Sequence, residues 1–178
     1  MKVSFFLRAF MGVATCFLVA CGGSNDSNHA TDVTFMNSDP SVLNVGQGTV
    51  LSVGLSFSAG DTFVDNERLN VVVRVPNGLS FKPDTAEIKR PIDDQSITPS
   101  GITSCPDGST FVSFSLNQSD LLLATNPSGD TDAEIRFELT EISAQGDALV
   151  TASTSENGVP FSCALPFDSQ SSVVVVLR

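Results

Sequence analysis

Carboxylates are the residues whose number and spacing raise the question of chemistry in this chain. It holds 20 Asp and Glu against 9 Lys and Arg, for a net charge of −11. Asp61, Asp65, Asn66 and Glu67 fall in one polar stretch and Asp130 and Asp132 in another. Hard oxygen ligands gathered from loops suit Ca²⁺. Neither stretch has the spacing of an EF-hand loop. Asp61, Asp65, Glu67, Asp130 and Asp132 are therefore calcium candidates by ligand type alone, and no metal site is assigned. Glu134 and Glu138 share one face of a strand, about 13 Å apart at the rise of extended chain. Inverting glycosidases hold their two carboxyls roughly 6.5–9.5 Å apart. A solvated strand face accounts for the pair better than hydrolysis does.

Other catalytic chemistry lacks its parts. A Ser or Cys nucleophile is usually activated by a base, most often His. The single histidine, His29, stands in the polar stretch GGSNDSNHATD, and none follows it. The sequence shows no G-x-S-x-G elbow, phosphate loop or H-E-x-x-H. Two cysteines, Cys105 and Cys163, cannot complete a zinc shell without further ligands nearby. The expectation is a protein that is not an enzyme, with no catalytic residues and no cofactor. Nucleic acid is excluded as a partner as well. Its binding rests on Lys and Arg neutralising phosphates, and no basic cluster occurs.

The elements that would position these groups are read from period. Val33-Thr34-Phe35 opens a strand, and Asp39-Pro40 and Gly46-Gln47-Gly48 are turn signals. Leu51, Val53, Leu55 and Phe57 alternate with small or polar residues, as a strand with one buried face does. Leu69 to Val75 is Val-rich and reads as a central strand covered on both sides. A short strand is predicted over Thr85–Lys89, with Lys89-Arg90-Pro91 suited to a sheet edge. Further strands are predicted at Ser109–Leu116, Ala133–Leu139, Ala148–Ala152, Val159–Ala164 and Ser172–Leu177, and one helical turn at Ser119–Ala124. Eight or so short strands without a long helical pattern imply an all-β antiparallel sandwich or barrel. Phe63, Phe81 and Phe111 near turns are candidates for a ligand platform, with core packing as the other role open to each.

The first 20 residues have a different character. Lys2 and Arg8 are their only charges, and Ala9 to Ala20 is almost wholly apolar. The run is too short for a spanning helix, which needs about 20 apolar residues. A positive start, an apolar middle and a small residue at the end describe a secretory signal peptide. Leu18-Val19-Ala20-Cys21 resembles the lipobox of bacterial lipoproteins. That resemblance implies cleavage before Cys21 and a lipid (palmitate among its acyl chains) on Cys21, so that the membrane itself is a partner. The absence of Asp at Gly22 implies the outer membrane of a Gram-negative host. With Cys16 removed and Cys21 lipidated, Cys105 and Cys163 remain. An oxidising compartment favours a bridge between them over two buried thiols.

A second resemblance lies at Val71-Val72-Val73-Arg74-Val75-Pro76-Asn77-Gly78-Leu79-Ser80-Phe81. An apolar strand followed by Pro-x-Gly-Leu and an aromatic is similar to the "conserved repeat" domains of bacterial surface proteins. Val45-Gly46 ahead of Val50–Phe57, and the order of segments from Cys105 to Leu139, fit the same pattern. The resemblance implies an immunoglobulin-like antiparallel β-sandwich of about 7–9 strands. A weaker likeness to cohesin-type sandwiches would imply docking of another protein. The expected organisation is a signal peptide over 1–20, a lipidated Cys21 with a flexible linker to residue 32, and one sandwich domain over 33–178. The expected role is a non-enzymatic binding or adhesion module of the cell envelope. Its partner would be an unknown envelope protein or a glycan, and a carboxylate-dependent hydrolase is the least favoured alternative.

Overall fold

The computed structural model describes residues 31–57, 68–89, 93–117, 131–143, 146–156, 162–163 and 170–178. Outside them lie the apolar leader with Cys21, the expected linker up to residue 30, the turn at 119–124, and the candidates Asp61, Phe63, Asp65, Glu67 and Asp130; the last two linker residues, Thr31 and Asp32, belong to the first strand. Among the described residues the regular structure is entirely β.

The described residues form twelve strands: β1 Thr31–Asp39, β2 Val42–Leu43, β3 Gly48–Phe57, β4 Leu69–Val75, β5 Leu79–Phe81, β6 Glu87–Lys89, β7 Asp94–Ser96, β8 Gly101–Ser104, β9 Thr110–Leu116, β10 Thr131–Glu141, β11 Gly146–Glu156 and β12 Ser171–Leu177. The first sheet runs β1-β3-β10-β6-β7, with β5 also paired to β10. The second runs β2-β12-β11-β4-β9-β8. Every pairing is antiparallel except the short β2–β12 contact. Of the sandwich and barrel that the alternation allowed, the two-sheet sandwich is the architecture found, with more strands among the described residues than the 7–9 expected from the resemblance.

Alternation builds the core. Leu51, Val53 and Leu55 of β3 and Ala133, Ile135, Phe137 and Leu139 of β10 point inward from the first sheet. Leu69, Val71, Val73 and Val75 of β4, with Val112, Phe114 and Leu116 of β9, answer from the second. Phe137 joins the two layers, with ring centroids 5.3 Å from Phe81 and 5.7 Å from Phe114. Full burial of one such side chain contributes about 1.5–3 kcal/mol, so these positions dominate the stability. The sheets are also tied at one margin. Gln170 Oε1 accepts from Val33 N of β1 and from Thr154 N and Oγ1 of β11.

The central reading of β4 holds, since Val72 on its outer face is fully buried along with its inward neighbours. The edge reading does not. β6 lies between β10 and β7, and the strand at the margin is Asp94–Ser96, all three residues exposed. Polar, exposed residues on a short strand leave strangers little to pair with. The expected strand at 159–164 is absent at Ser162 and Cys163, which lie in a turn region. There Cys163 is joined to Cys105 by a disulfide, Cα–Cα 5.5 Å.

Candidate binding surface

The outer face of the first sheet carries a constellation that strict alternation would not produce. Val33 pairs with Leu55 and Phe35 with Gly54, so Thr34 is an extra residue, a β-bulge. Without it, Val33 and Phe35 would point the same way. The bulge keeps Val33 in the core, turns Phe35 out to 46% exposure, and returns Met36 toward the core. Bulges re-aim side chains in this manner.

Gly54 receives the ring. A Cβ on Gly54 would stand 2.0 Å from Cε1 of Phe35 and 2.3 Å from Cδ1, so the ring rests on bare backbone. Opposite Gly54 on β10 stands Glu134. Its Oε1 accepts from Arg136 Nε at 2.7 Å and its Oε2 from Arg136 Nη2 at 3.1 Å. Register aligns Phe35, Gly54, Glu134 and Lys89 in one row and Asn37, Ser52, Arg136 and Glu87 in the next. Glu138 takes a hydrogen bond from Lys82 beyond them.

The charges here are held by each other. Partial burial works against ionisation of Glu134, but hydrogen bonds from Arg136 and then Ser52 outweigh it and hold its carboxyl below the usual range. The bond to Glu134 raises the Arg136 guanidinium further above its usual value. A forked, bidentate Arg–carboxylate pair fixes orientation as well as charge. The result is a flat aromatic face beside rigid, planar hydrogen-bonding groups.

The residues singled out in the sequence are distributed otherwise. Glu134 and Glu138 do share the outer face of β10, each paired with a cation. Asp132 lies in β10 opposite Ser56. Among the described residues no three His, Cys, Asp or Glu gather as a metal group would require. Phe81 and Phe111 correct the platform expectation, because both are buried. Phe81 points inward beside Phe137, and Phe111 lies on the outer side of the second sheet, opposite Arg74. Phe35 was not singled out. Its available signal was Gly54, a lone glycine inside an alternating strand, which marks a bulge or a close approach.

No protein family matches the chain, and no curated protein does. Solved structures do resemble it. The fimbrial protein FimP from Actonomyces oris gives a TM-score of 0.57 at 12% identity over 81% of this chain. The pilus backbone RrgB from Streptococcus pneumoniae gives 0.49 at 13% identity over 73% of this chain. The collagen-binding domain of a Staphylococcus aureus adhesin gives 0.37 at 10% identity, covering 81% of this chain and 95% of that one. This chain spans 37% of the FimP chain and 28% of the RrgB chain. At such identities the likeness to FimP is one of fold alone, an immunoglobulin-like β-sandwich.

Proposed function

We propose that this protein is a lipid-anchored module of the bacterial cell envelope that serves a structural or adhesive role by binding rather than by catalysis. One observation carries the reading: a sandwich with the fold of a fimbrial protein follows a leader that closes on Leu18-Val19-Ala20-Cys21. Cleavage before Cys21 and acylation of it would hold the protein at the membrane. Several acyl chains bind firmly where one binds marginally, at about 0.8 kcal/mol per buried methylene. Gly22 in place of Asp favours the outer membrane of a Gram-negative host. The partner is another envelope component, a protein or a glycan. Non-catalytic action is supported by the paired state of two carboxylates on the outer face of β10, Glu134 and Glu138, which are engaged by Arg136 and Lys82.

The test is metabolic labelling with palmitate combined with fractionation. The wild-type chain is expected to take up label and sediment with membranes. Cys21→Ser is expected to lose the label and appear in the soluble fraction. A wild-type chain without label, or a Cys21→Ser chain that stays in the membrane, ends the reading.

A further inference from the structure

We propose that the Phe35 face of the first sheet is a binding site for a neutral glycan. The proposal deepens the reading of this protein as a binding module and does not depend on its lipid anchor. Three features of separate origin meet there. The Thr34 bulge turns an aromatic ring out of the core. Gly54 removes the side chain that would lift the ring off the sheet. The Glu134–Arg136 fork fixes a planar acceptor and donor in the adjoining positions.

The chemistry of these groups selects the ligand. The exposed side of the Phe35 ring offers an apolar, electron-rich surface, which suits the C–H face of a pyranose. A pyranose is about as wide as the interval between neighbouring strands, roughly 4.8 Å. Its hydroxyls, which both donate and accept, then have Glu134 within the row of the ring and Asn37, Ser52 and Arg136 in the adjoining row. Asn37 is itself set, since its Oδ1 accepts from Ser38 N at 2.9 Å and its amide N–H groups remain as donors. Neutrality follows from charge. Glu134, Arg136, Glu138 and Lys82 satisfy one another, and the chain as a whole carries −11, which repels polyanionic sugars.

The experiment uses the full chain in detergent micelles and saturation-transfer NMR with chitotetraose, cellotetraose and mannotetraose, each against heparin tetrasaccharide. At least one neutral tetrasaccharide is expected to bind, with no signal from heparin. Phe35→Ala is expected to weaken binding at least tenfold. Phe35→Leu keeps an apolar cover on Gly54 and is expected to weaken it similarly, so the test survives if the alanine variant folds poorly. Leu149→Ser, exposed on the second sheet, is expected to bind as wild type does. Failure of all three neutral sugars, preference for heparin, or unchanged binding by Phe35→Leu overturns the proposal. None of these results alters the palmitate experiment, so the two readings fail separately.

Discussion

Glu141 is the residue whose place in the fold is hardest on stability. It continues the inward series Ala133, Ile135, Phe137 and Leu139, and is only 1% exposed. Neither carboxyl oxygen has a hydrogen-bond partner. Leaving a buried polar group unmet costs on the order of 1–3 kcal/mol, more when it is charged. Glu141→Met fills similar volume without that cost, and is expected to raise the unfolding free energy by about that amount, measured by urea denaturation at pH 7. Asp107 shows the reverse case. Ser109 Oγ and N donate to its Oδ1 at 2.7 and 2.9 Å, and Arg74 donates to its Oδ2 at 2.7 Å. Those bonds, Ser109 foremost, bring its carboxyl down to about 2 from 3.8. A carboxyl lowered on folding stabilises fully above its unfolded value and loses that contribution as pH falls through its folded value. The stabilisation from Asp107 is therefore complete above about pH 4 and fades toward pH 2. Asp107→Asn is expected to flatten the fall in melting temperature between those limits. A variant that tracks wild type throughout would show the bonds to be idle.

At the scale of elements, the disulfide holds the β8–β9 turn to the connection between β11 and β12. Its loop has a sequence separation of 58. The chain-entropy model gives such a crosslink roughly 4 kcal/mol. Reduction, or Cys163→Ser, is expected to lower the denaturation midpoint accordingly without abolishing the sheets seen by circular dichroism. How far each strand could be read from the residues depended on how much side-chain burial defines it. β3, β9 and β10 carry alternating Leu, Val, Ile and Phe, and their faces were legible from period two, while β4 was legible from its Val-rich run. β7 and β8 were not. Asp94, Gln95 and Ser96 bury nothing, and β7 is a strand only because Glu87, Ile88 and Lys89 pair with it. β8, Gly101–Ser104, is held against Thr110–Ser113 in the same way. Backbone pairing of polar segments leaves no period to detect. The Phe35 site was hidden for a related reason: its bulge is a two-strand feature, seen only in the pairing of Val33 with Leu55 and of Phe35 with Gly54. Gly54→Ala tests the seat of the ring on Gly54. The three atoms nearest the added methyl all belong to the ring of Phe35, a movable side chain. The variant is expected to fold and to displace the ring, which would abolish the ring-current shift of the residue-54 Hα in proton NMR.

Across the whole molecule, charge and layering set what can approach. The net charge of −11 predicts no retention on immobilised DNA even at low salt; retention that declines with added salt would contradict it. The two outer faces differ in kind. The first sheet presents Phe35 with interlocked ions, whereas the second exposes Leu149 and Val174 as a cross-strand apolar pair while keeping Val72 and Phe111 covered. Phe35 also lies early in the first strand, four positions beyond Thr31. If a partner sits against that ring and the chain is held on its amino-terminal side, a pull on the partner enters through β1 and is shared with β3 and β10, to which the strand register ties it.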